Sequence, residues 1–196
     1  PVQFTRANAR TAAPDAVGGD LTVASFNVLN YFSTIDQVGA QCYPGMVRGD
    51  CRGADSAAEL TRQSDKIVAA LAAIDADIVG LMEIENNNGV AANDLVSKLN
   101  AVVGAGTYAV VANPAGIGGS SPINGGGDAI ITAFIYKPAT VSPVGAAIAF
   151  DDPAFADARA PIAQIFAELS SGEQFTVVVN HFKSKGSGTN DGTGQG

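Results

Sequence analysis

The sequence predicts an α+β fold, and three patterns lead to that prediction. Two segments, 59–74 and 92–103, have the spacing of apolar residues that is typical of amphipathic helices. Apolar strands are expected before and between them, at 21–29 and 78–84. The second half of the chain contains apolar runs typical of strands at 108–112, 129–137, 141–150, 161–169 and 174–182. A strand–helix half followed by a mostly β half indicates packed layers rather than an alternating βαβ repeat.

The helix at 59–74 is the clearest single element. Its apolar residues recur at spacings of three, four and seven and predict one buried face, made of Leu60, Ile67, Val68, Leu71 and Ile74. Asp75 and Asp77 are expected to end this helix, and Gly104 is expected to end the second one.

The length of the chain, 196 residues with 46% hydrophobic content, allows one domain with a sizeable core. No apolar stretch approaches the roughly 18 residues of a membrane span. Residues 1–19 are polar and rich in Ala, Pro and Gly, which predicts a linker before a domain at 20–196. The chain lacks an initiator Met and a leader and finishes in a Gly-rich run, so we expect a piece of a longer precursor or a mature form.

The net charge of −8 and the pI near 4.4 argue against a protein that holds DNA by bulk electrostatics. An enzyme that binds a phosphodiester through a metal and a few local cations remains allowed. Arg159, Lys183 and Lys185 are the candidates for such local phosphate-binding charge. Arg is suited to bidentate phosphate contact, and a surface ion pair is the alternative role for Arg159.

The two cysteines, Cys42 and Cys51, lie in a long Gly/Pro-containing loop at 30–58. No other Cys or His is near them, which makes a zinc site a poor interpretation. A local disulfide that pins the loop is favoured, with two free surface thiols as the alternative. A disulfide would indicate an oxidising compartment.

Three apolar runs carry a polar residue of the kind that binds a metal or a phosphate: Asn27, Glu83 and His181. Such side chains are costly to bury without partners. Strand alternation predicts that Glu83 and Glu85 point to one face, and carboxylates are the ligands that Mg²⁺ or Mn²⁺ prefers. A solvated strand end is the alternative for Glu83. Asp128 is interpreted either as a carboxylate that supports the ligands or as a turn residue that starts a strand.

Asn27 and His181 each leave more than one role open. The amide oxygen of Asn27 can bind a metal, its nitrogen can orient a carboxylate, or both can bind backbone groups. His181 is the only histidine in the chain. It follows three apolar side chains of the same strand parity and suits acid–base chemistry, with a buried core histidine as the alternative. Lys183 and Lys185 share its parity, which favours a strand end that faces phosphate.

Taken in order, these segments resemble the endonuclease/exonuclease/phosphatase superfamily, which has the deoxyribonuclease I-like fold, and within it the bacterial extracellular nucleases. The resemblance covers about residues 15–196. The matching pieces are SFNVLNYF at 25–32, the Cys42–Cys51 insertion with RGADS at 52–56, RQ at 62–63, LMEIEN at 81–86, GDA at 127–129, YKP at 136–138, RAP at 159–161 and NHFKSK at 180–185.

The resemblance implies a two-sheet β-sandwich flanked by helices, with the site at the edges of the sheets. It implies metal-dependent phosphodiester hydrolysis, with Glu83 as the direct ligand and Asn27 beside it on the metal side. Arg159 would contact a phosphate, and His181 would bind or protonate the region of the scissile phosphate. The implied cofactor is Mg²⁺ or Mn²⁺, with Ca²⁺ as a further candidate, and the implied partner is nucleic acid, DNA or also RNA. A secreted, cell-surface or periplasmic location in a bacterium follows from the same resemblance.

The sequence departs from the family pattern because it has no Asp-x-Asn motif and no second histidine. In the family these elements follow the NHFKSK segment. We therefore expect the chain to be the N-terminal portion of the domain, incomplete at its C-terminus, inactive alone and accompanied by the remaining portion. A phosphomonoesterase or phospholipase of the same superfamily, and a non-catalytic module that retains the fold, are the alternatives.

Overall fold

The computed structural model describes residue 3 and residues 18–123, 126–156 and 158–182. The predicted linker at 1–19 lies almost wholly outside these residues, as do Lys183, Lys185 and the Gly-rich end. Within the described part of the chain, no helix combines the length and the apolar character that a membrane crossing requires.

The first sheet contains four strands in the order β1–β2–β4–β3. Their bounds are β1 Val23–Tyr31, β2 Ile78–Glu85, β3 Ala109–Val110 and β4 Ile130–Tyr136. β1 and β2 are parallel, and the other two pairs are antiparallel. A parallel pair needs a long crossover connection, and helix α1, Ala57–Ile74, provides it.

The second sheet is an antiparallel meander in the order β5–β6–β7. Its strands are β5 Val141–Ala149, β6 Ile162–Glu168 and β7 Gln174–Val179. With helix α2, Val90–Val103, these elements confirm the predicted α+β class and the two-sheet sandwich. The strand predicted at 174–182 ends earlier, at Val179, because its last partner is Ile162 and Pro161 has no N–H to extend the ladder. His181 thus lies just beyond the strand, not in it.

Aromatic rings and one glycine hold the two sheets together. The ring of Phe166 on β6 meets Phe134 on β4 edge to face, with 6.0 Å between centroids. Phe166 is also near Tyr136 and Phe175, at 5.9 and 6.3 Å. Gly80 on β2 lies so close to β7 that a Cβ there would stand 3.0 Å from a methyl group of Val179. A side chain at position 80 would therefore force the two sheets apart.

Helix α1 begins two residues before the predicted start. Its Ser56 side chain accepts a hydrogen bond from the amide of Glu59, and the Glu59 carboxylate accepts one from the amide of Asp55. The helix ends at Asp75, which adopts a left-handed conformation with φ of 49°. Ile74 was predicted on the buried face but is 37% exposed, because it is the last residue before that turn.

The long loop after β1 is fixed by a disulfide between Cys42 and Cys51, as predicted. Both cysteines are buried, together with Phe32 and Ala129. Glu85, itself 2% exposed, holds the start of the loop by accepting hydrogen bonds from the amides of Ser33 and Thr34. The loop is thereby pinned at both its beginning and its middle.

Removal of the disulfide should lower the free energy of unfolding without changing the fold. The double variant Cys42→Ser/Cys51→Ser should lose about 2–3 kcal/mol of unfolding free energy. The reason is that the unfolded chain regains the conformational entropy that a cross-link between residues nine positions apart removes. Urea titration of variant and wild type measures this loss. Reduced wild type is the control and should match the variant; equal midpoints for oxidised wild type and variant would contradict a stabilising cross-link.

Candidate active site at the junction of the two sheets

Glu83 lies where two strand pairings become irregular at the same level. The register of β1 with β2 shifts between Asn27 and Tyr31, and that of β2 with β4 shifts between Leu81 and Ile84. Glu83 itself has φ of 64°, a left-handed backbone conformation that is uncommon for residues other than glycine. Such strain concentrates at functional sites, and here it takes the Glu83 carboxylate out of the regular alternation of β2.

The Glu83 carboxylate collects donors from β1 and approaches the second sheet. Its Oε1 accepts a hydrogen bond from Asn27 Nδ2 at 2.8 Å, and its Oε2 accepts one from the amide of Asn30 at 3.0 Å. Nε2 of His181, which follows β7, is 3.5 Å from Oε1. The side chains of Glu83 and His181 are only 17% and 14% exposed. A carboxylate has about four acceptor positions, so this one keeps acceptor capacity for a ligand.

Asn27 takes the second of the roles that the sequence left open. Its Oδ1 accepts a hydrogen bond from the amide of Leu29 at 2.8 Å, which turns its Nδ2 toward Glu83. This geometry favours a residue that orients the carboxylate over one whose amide oxygen binds the metal, which the sequence had left as another of the open roles.

Gln63 on α1 supports the turn that supplies the Asn30 amide. Leu29 and Asn30 are both left-handed, with φ of 54° and 50°. Nε2 of Gln63 donates to the carbonyl oxygen of Leu29 at 2.8 Å and lies 3.5 Å from that of Asn30. Neither Gln63 nor Asn30 was predicted as a site residue from the sequence. The signals for them were their places in the matching pieces at 25–32 and 62–63 and, for Gln63, a polar side chain four positions before Ile67 on the inward face of the helix.

Asp128 is held between two arginines. Its Oδ2 is 2.6 Å from Nη2 of Arg159, and its Oδ1 is 2.9 Å from Nη2 of Arg52. The buried Asn86 donates to the Asp128 carbonyl oxygen at 2.7 Å. Asp128 therefore supports Arg159, the predicted phosphate-binding residue, and Arg52 is a further member that the sequence did not reveal.

Two buried nitrogen atoms at this junction have no hydrogen-bond partner among the described residues: Nε of Arg159 and Nδ1 of His181. Burial lowers the pKa of His181, and the Arg159 cation lowers it further, while Glu83 and Asp128 act in the opposite direction. The lowered pKa favours the neutral imidazole, which can accept a proton. A phosphate oxygen would satisfy the unpaired donor of Arg159, and a water molecule or hydroxyl group would satisfy the unpaired imidazole nitrogen.

Glu85 does not share the surroundings of Glu83. Alternation predicted that both would point to one face, but the left-handed backbone at Glu83 interrupts that alternation. Besides the loop amides, Glu85 accepts a hydrogen bond from Nδ2 of Asn87 at 2.7 Å. Its contacts make it an anchor of the loop rather than a supporting carboxylate of the site.

The donor set fits some metal ions better than others. No group of three or more His, Cys, Asp or Glu side chains that could hold a metal occurs within the described ranges. Glu83 offers a carboxylate with an open acceptor position, while the nearby Asp128 carboxylate is engaged by Arg52 and Arg159. Mg²⁺ and Mn²⁺ suit such a site, because Mg²⁺ commonly binds proteins through one or two carboxylates and keeps waters and substrate phosphate as its other ligands. Ca²⁺, which takes six to eight oxygen ligands, is a poorer match.

No family model and no curated protein matches this sequence. The solved structures that match include a humanized D. rerio TDP2 with 14 mutations, at 15% identity and a TM-score of 0.47, covering 84% of this chain and 48% of that one. A second is an endonuclease/exonuclease/phosphatase family protein from Bacteroides thetaiotaomicron, at 17% identity and a TM-score of 0.47, covering 84% and 52%.

A third matching structure is ANGEL2, a 2′,3′-cyclic phosphatase, in complex with adenosine-2′,3′-vanadate. It has 12% identity and a TM-score of 0.47, covering 81% of this chain and 40% of that one. The chain spans about half or less of the length of these structures. The Bacteroides thetaiotaomicron protein carries the name of the superfamily that the sequence motifs resemble.

The proton equilibrium of His181 offers a direct check of this geometry. Because it is the only histidine, its ring protons titrate alone in an NMR spectrum of the metal-free chain. The midpoint should lie below 6.5. Arg159→Gln should raise the pKa of His181 by removing a cation, and Glu83→Gln should lower it further by removing an anion. Shifts of the same sign in both variants would show that His181 is not placed between them.

Proposed function

We propose that this chain takes part in divalent-metal-dependent hydrolysis of a nucleic-acid phosphodiester, with DNA as the first candidate substrate and RNA as the second. The observation that carries the proposal is the meeting of Glu83, His181 and Arg159 at one junction between the sheets. A carboxylate with open acceptor capacity, a neutral imidazole and an unpaired guanidinium nitrogen are three groups with separate tasks in phosphoryl transfer.

Glu83 would hold Mg²⁺ or Mn²⁺, and the orientation of its carboxylate is set by Asn27 and by the Asn30 amide. A bound divalent ion would polarise a phosphoryl oxygen and favour ionisation of a bound water. Gln63 would act indirectly, by fixing the backbone that presents the Asn30 amide to Glu83.

His181 would serve as the acid–base group. The neighbouring carboxylate favours the tautomer with its proton on Nε2, which leaves Nδ1 as a proton acceptor. Arg159, positioned by Asp128, would donate from its unpaired Nε to a phosphate oxygen. The two charges of the Arg159–Asp128 pair are partly buried, so that the guanidinium is already oriented before substrate binds.

The disulfide supports a location in an oxidising compartment, and we propose a secreted, cell-surface or periplasmic enzyme. Mg²⁺ sites often have two carboxylates, and at this junction Glu83 has open acceptor positions while Asp128 is engaged by Arg52 and Arg159. We therefore propose that efficient turnover needs the Asp-x-Asn and Asp-His groups that this sequence lacks.

A plasmid-nicking assay with Mg²⁺, Mn²⁺ or EDTA tests the proposal, on this chain and on a form extended beyond Gly196. Cleavage should require the metal and should be much stronger in the extended form. In that form Glu83→Gln should abolish cleavage, and His181→Ala should slow it by about 10²–10⁴-fold, the range for one acid–base group. Hydrolysis of bis-p-nitrophenyl phosphate should respond in the same way.

Glu173→Gln is the matched control, since it neutralises an exposed carboxylate in the turn before β7. It should leave cleavage unchanged. Full activity in both site variants would show that the site is wrongly assigned. A folded extended form that binds DNA but never cleaves it would identify a non-catalytic binding module instead.

A further inference from the structure

A groove of about 580 Å³ opens directly beside the candidate site. One wall is the end of β1, from Phe26 to Asn30, and therefore includes both groups that hold the Glu83 carboxylate. The opposite wall is α1, and the side chain of Arg52 lines the groove as well. A ligand in the groove would thus lie next to any phosphate bound at Glu83, His181 and Arg159.

Two of the cations that line the groove differ from the other cations in the described part of the chain because they form no ion pair. Five Lys or Arg side chains form ion pairs with carboxylates: Arg48, Arg52, Lys98, Lys137 and Arg159. Among the described residues, Arg62 and Lys66 have neither an ion pair nor a side-chain hydrogen bond. Both line the groove. The unpaired positive charge is therefore gathered on one wall.

The spacing of these two cations does not stabilise helix α1. Arg62 and Lys66 are four residues apart, so they are neighbours on one face of α1, and like charges at this spacing destabilise a helix slightly. Glu59 is the one acidic residue that lines the groove, and its carboxylate binds the amide of Asp55 at the helix start. In a chain with a net charge of −8, two adjacent cations without partners are unusual and favour an anionic ligand.

Part of the remaining lining is apolar. Phe26 and Leu29 line the groove at the end of β1, and Leu29 is 72% exposed, while Val28 and Ile67 are buried behind them. A surface that combines an apolar wall with cations suits a nucleotide, whose base and sugar cover apolar surface while its phosphates meet the cations. A small phosphomonoester would fill the site at Glu83 and leave this groove unused.

We propose that the groove binds the nucleotides next to the scissile phosphate, with Arg62 and Lys66 on flanking phosphates of a single strand. The proposal deepens the proposed function, on which it rests for the position of the scissile phosphate. It identifies the substrate as a polynucleotide rather than a small phosphate ester.

Binding of fluorescein-labelled hexathymidylate to this chain, followed by anisotropy in EDTA over a range of salt concentrations, tests the proposal without requiring turnover. Arg62→Gln/Lys66→Gln should weaken binding on the order of tenfold at low salt. It should also reduce the slope of log affinity against log salt by about 1.4, because each single-strand phosphate that the protein no longer neutralises lowers that slope by about 0.7. Circular dichroism checks that the variant is folded.

Arg48→Gln/Lys98→Gln is the matched control, because it removes two cations that lie outside the groove. It should keep both the affinity and the salt slope of the wild type. Equal binding by the groove variant and wild type, or an equal decrease in the control, would overturn the proposal. So would hexaglutamate that competes as well as unlabelled hexathymidylate, since the groove would then be a general polyanion surface.

The two proposals can fail separately. If the groove variant binds normally while the extended form cleaves DNA with Mg²⁺, the hydrolase proposal stands and the groove proposal is wrong. If the groove variant loses binding while no form hydrolyses bis-p-nitrophenyl phosphate, the groove is a nucleic-acid site and the hydrolase proposal is wrong.

Discussion

The left-handed backbone of Glu83 is the constraint on which the site depends. A residue other than glycine in this conformation costs about 1–3 kcal/mol, and it persists only where the surroundings compensate. Here the compensation comes from two hydrogen bonds to its carboxylate, from Asn27 and from the Asn30 amide. Asn30 is itself left-handed, and Gln63 holds its turn through the neighbouring Leu29 carbonyl. The same hydrogen bonds therefore hold both left-handed segments, the one in β2 and the one at the end of β1.

The packing of the two sheets determines what the Glu83 carboxylate meets. Gly80, three residues earlier on β2, lets Val179 of β7 approach closely, and the chain then leads within two residues to His181. Phe134 is the cross-strand partner of Gly80 on β4, and its contact with Phe166 fixes the same separation beside this glycine. Since His181 Nε2 is 3.5 Å from Glu83, a widening of the sheets by about an ångström would end that contact. The core packing therefore also sets the Glu83–His181 distance on which the proposed acid–base role depends.

The site could be predicted from the sequence where a side chain contradicts its local pattern. Asn27, Glu83 and His181 are polar residues in apolar runs, and the structure brings all three together. Prediction failed where the relevant property has no periodic signal. Asn30 acts through its backbone amide, which almost any residue would supply, and the left-handed turn at Glu83 makes the alternation that paired it with Glu85 invalid. Arg52 lies 76 residues from its partner Asp128, a distance over which local patterns predict nothing.

The charge of the chain is best understood locally. A net charge of −8 argues against binding along a long stretch of DNA, yet the cations are not spread evenly over the described surface. Arg159 and Arg52 are fixed on Asp128 beside the site, while Arg62 and Lys66 stay without partners along the adjoining groove. Fixed cations lose little entropy when a phosphate binds, and unpaired ones lose no ion pair. An acidic protein arranged in this way can hold a few phosphates at one place and remain repelled by polyanions elsewhere, which agrees with the proposed function because it would favour release of a cleaved strand.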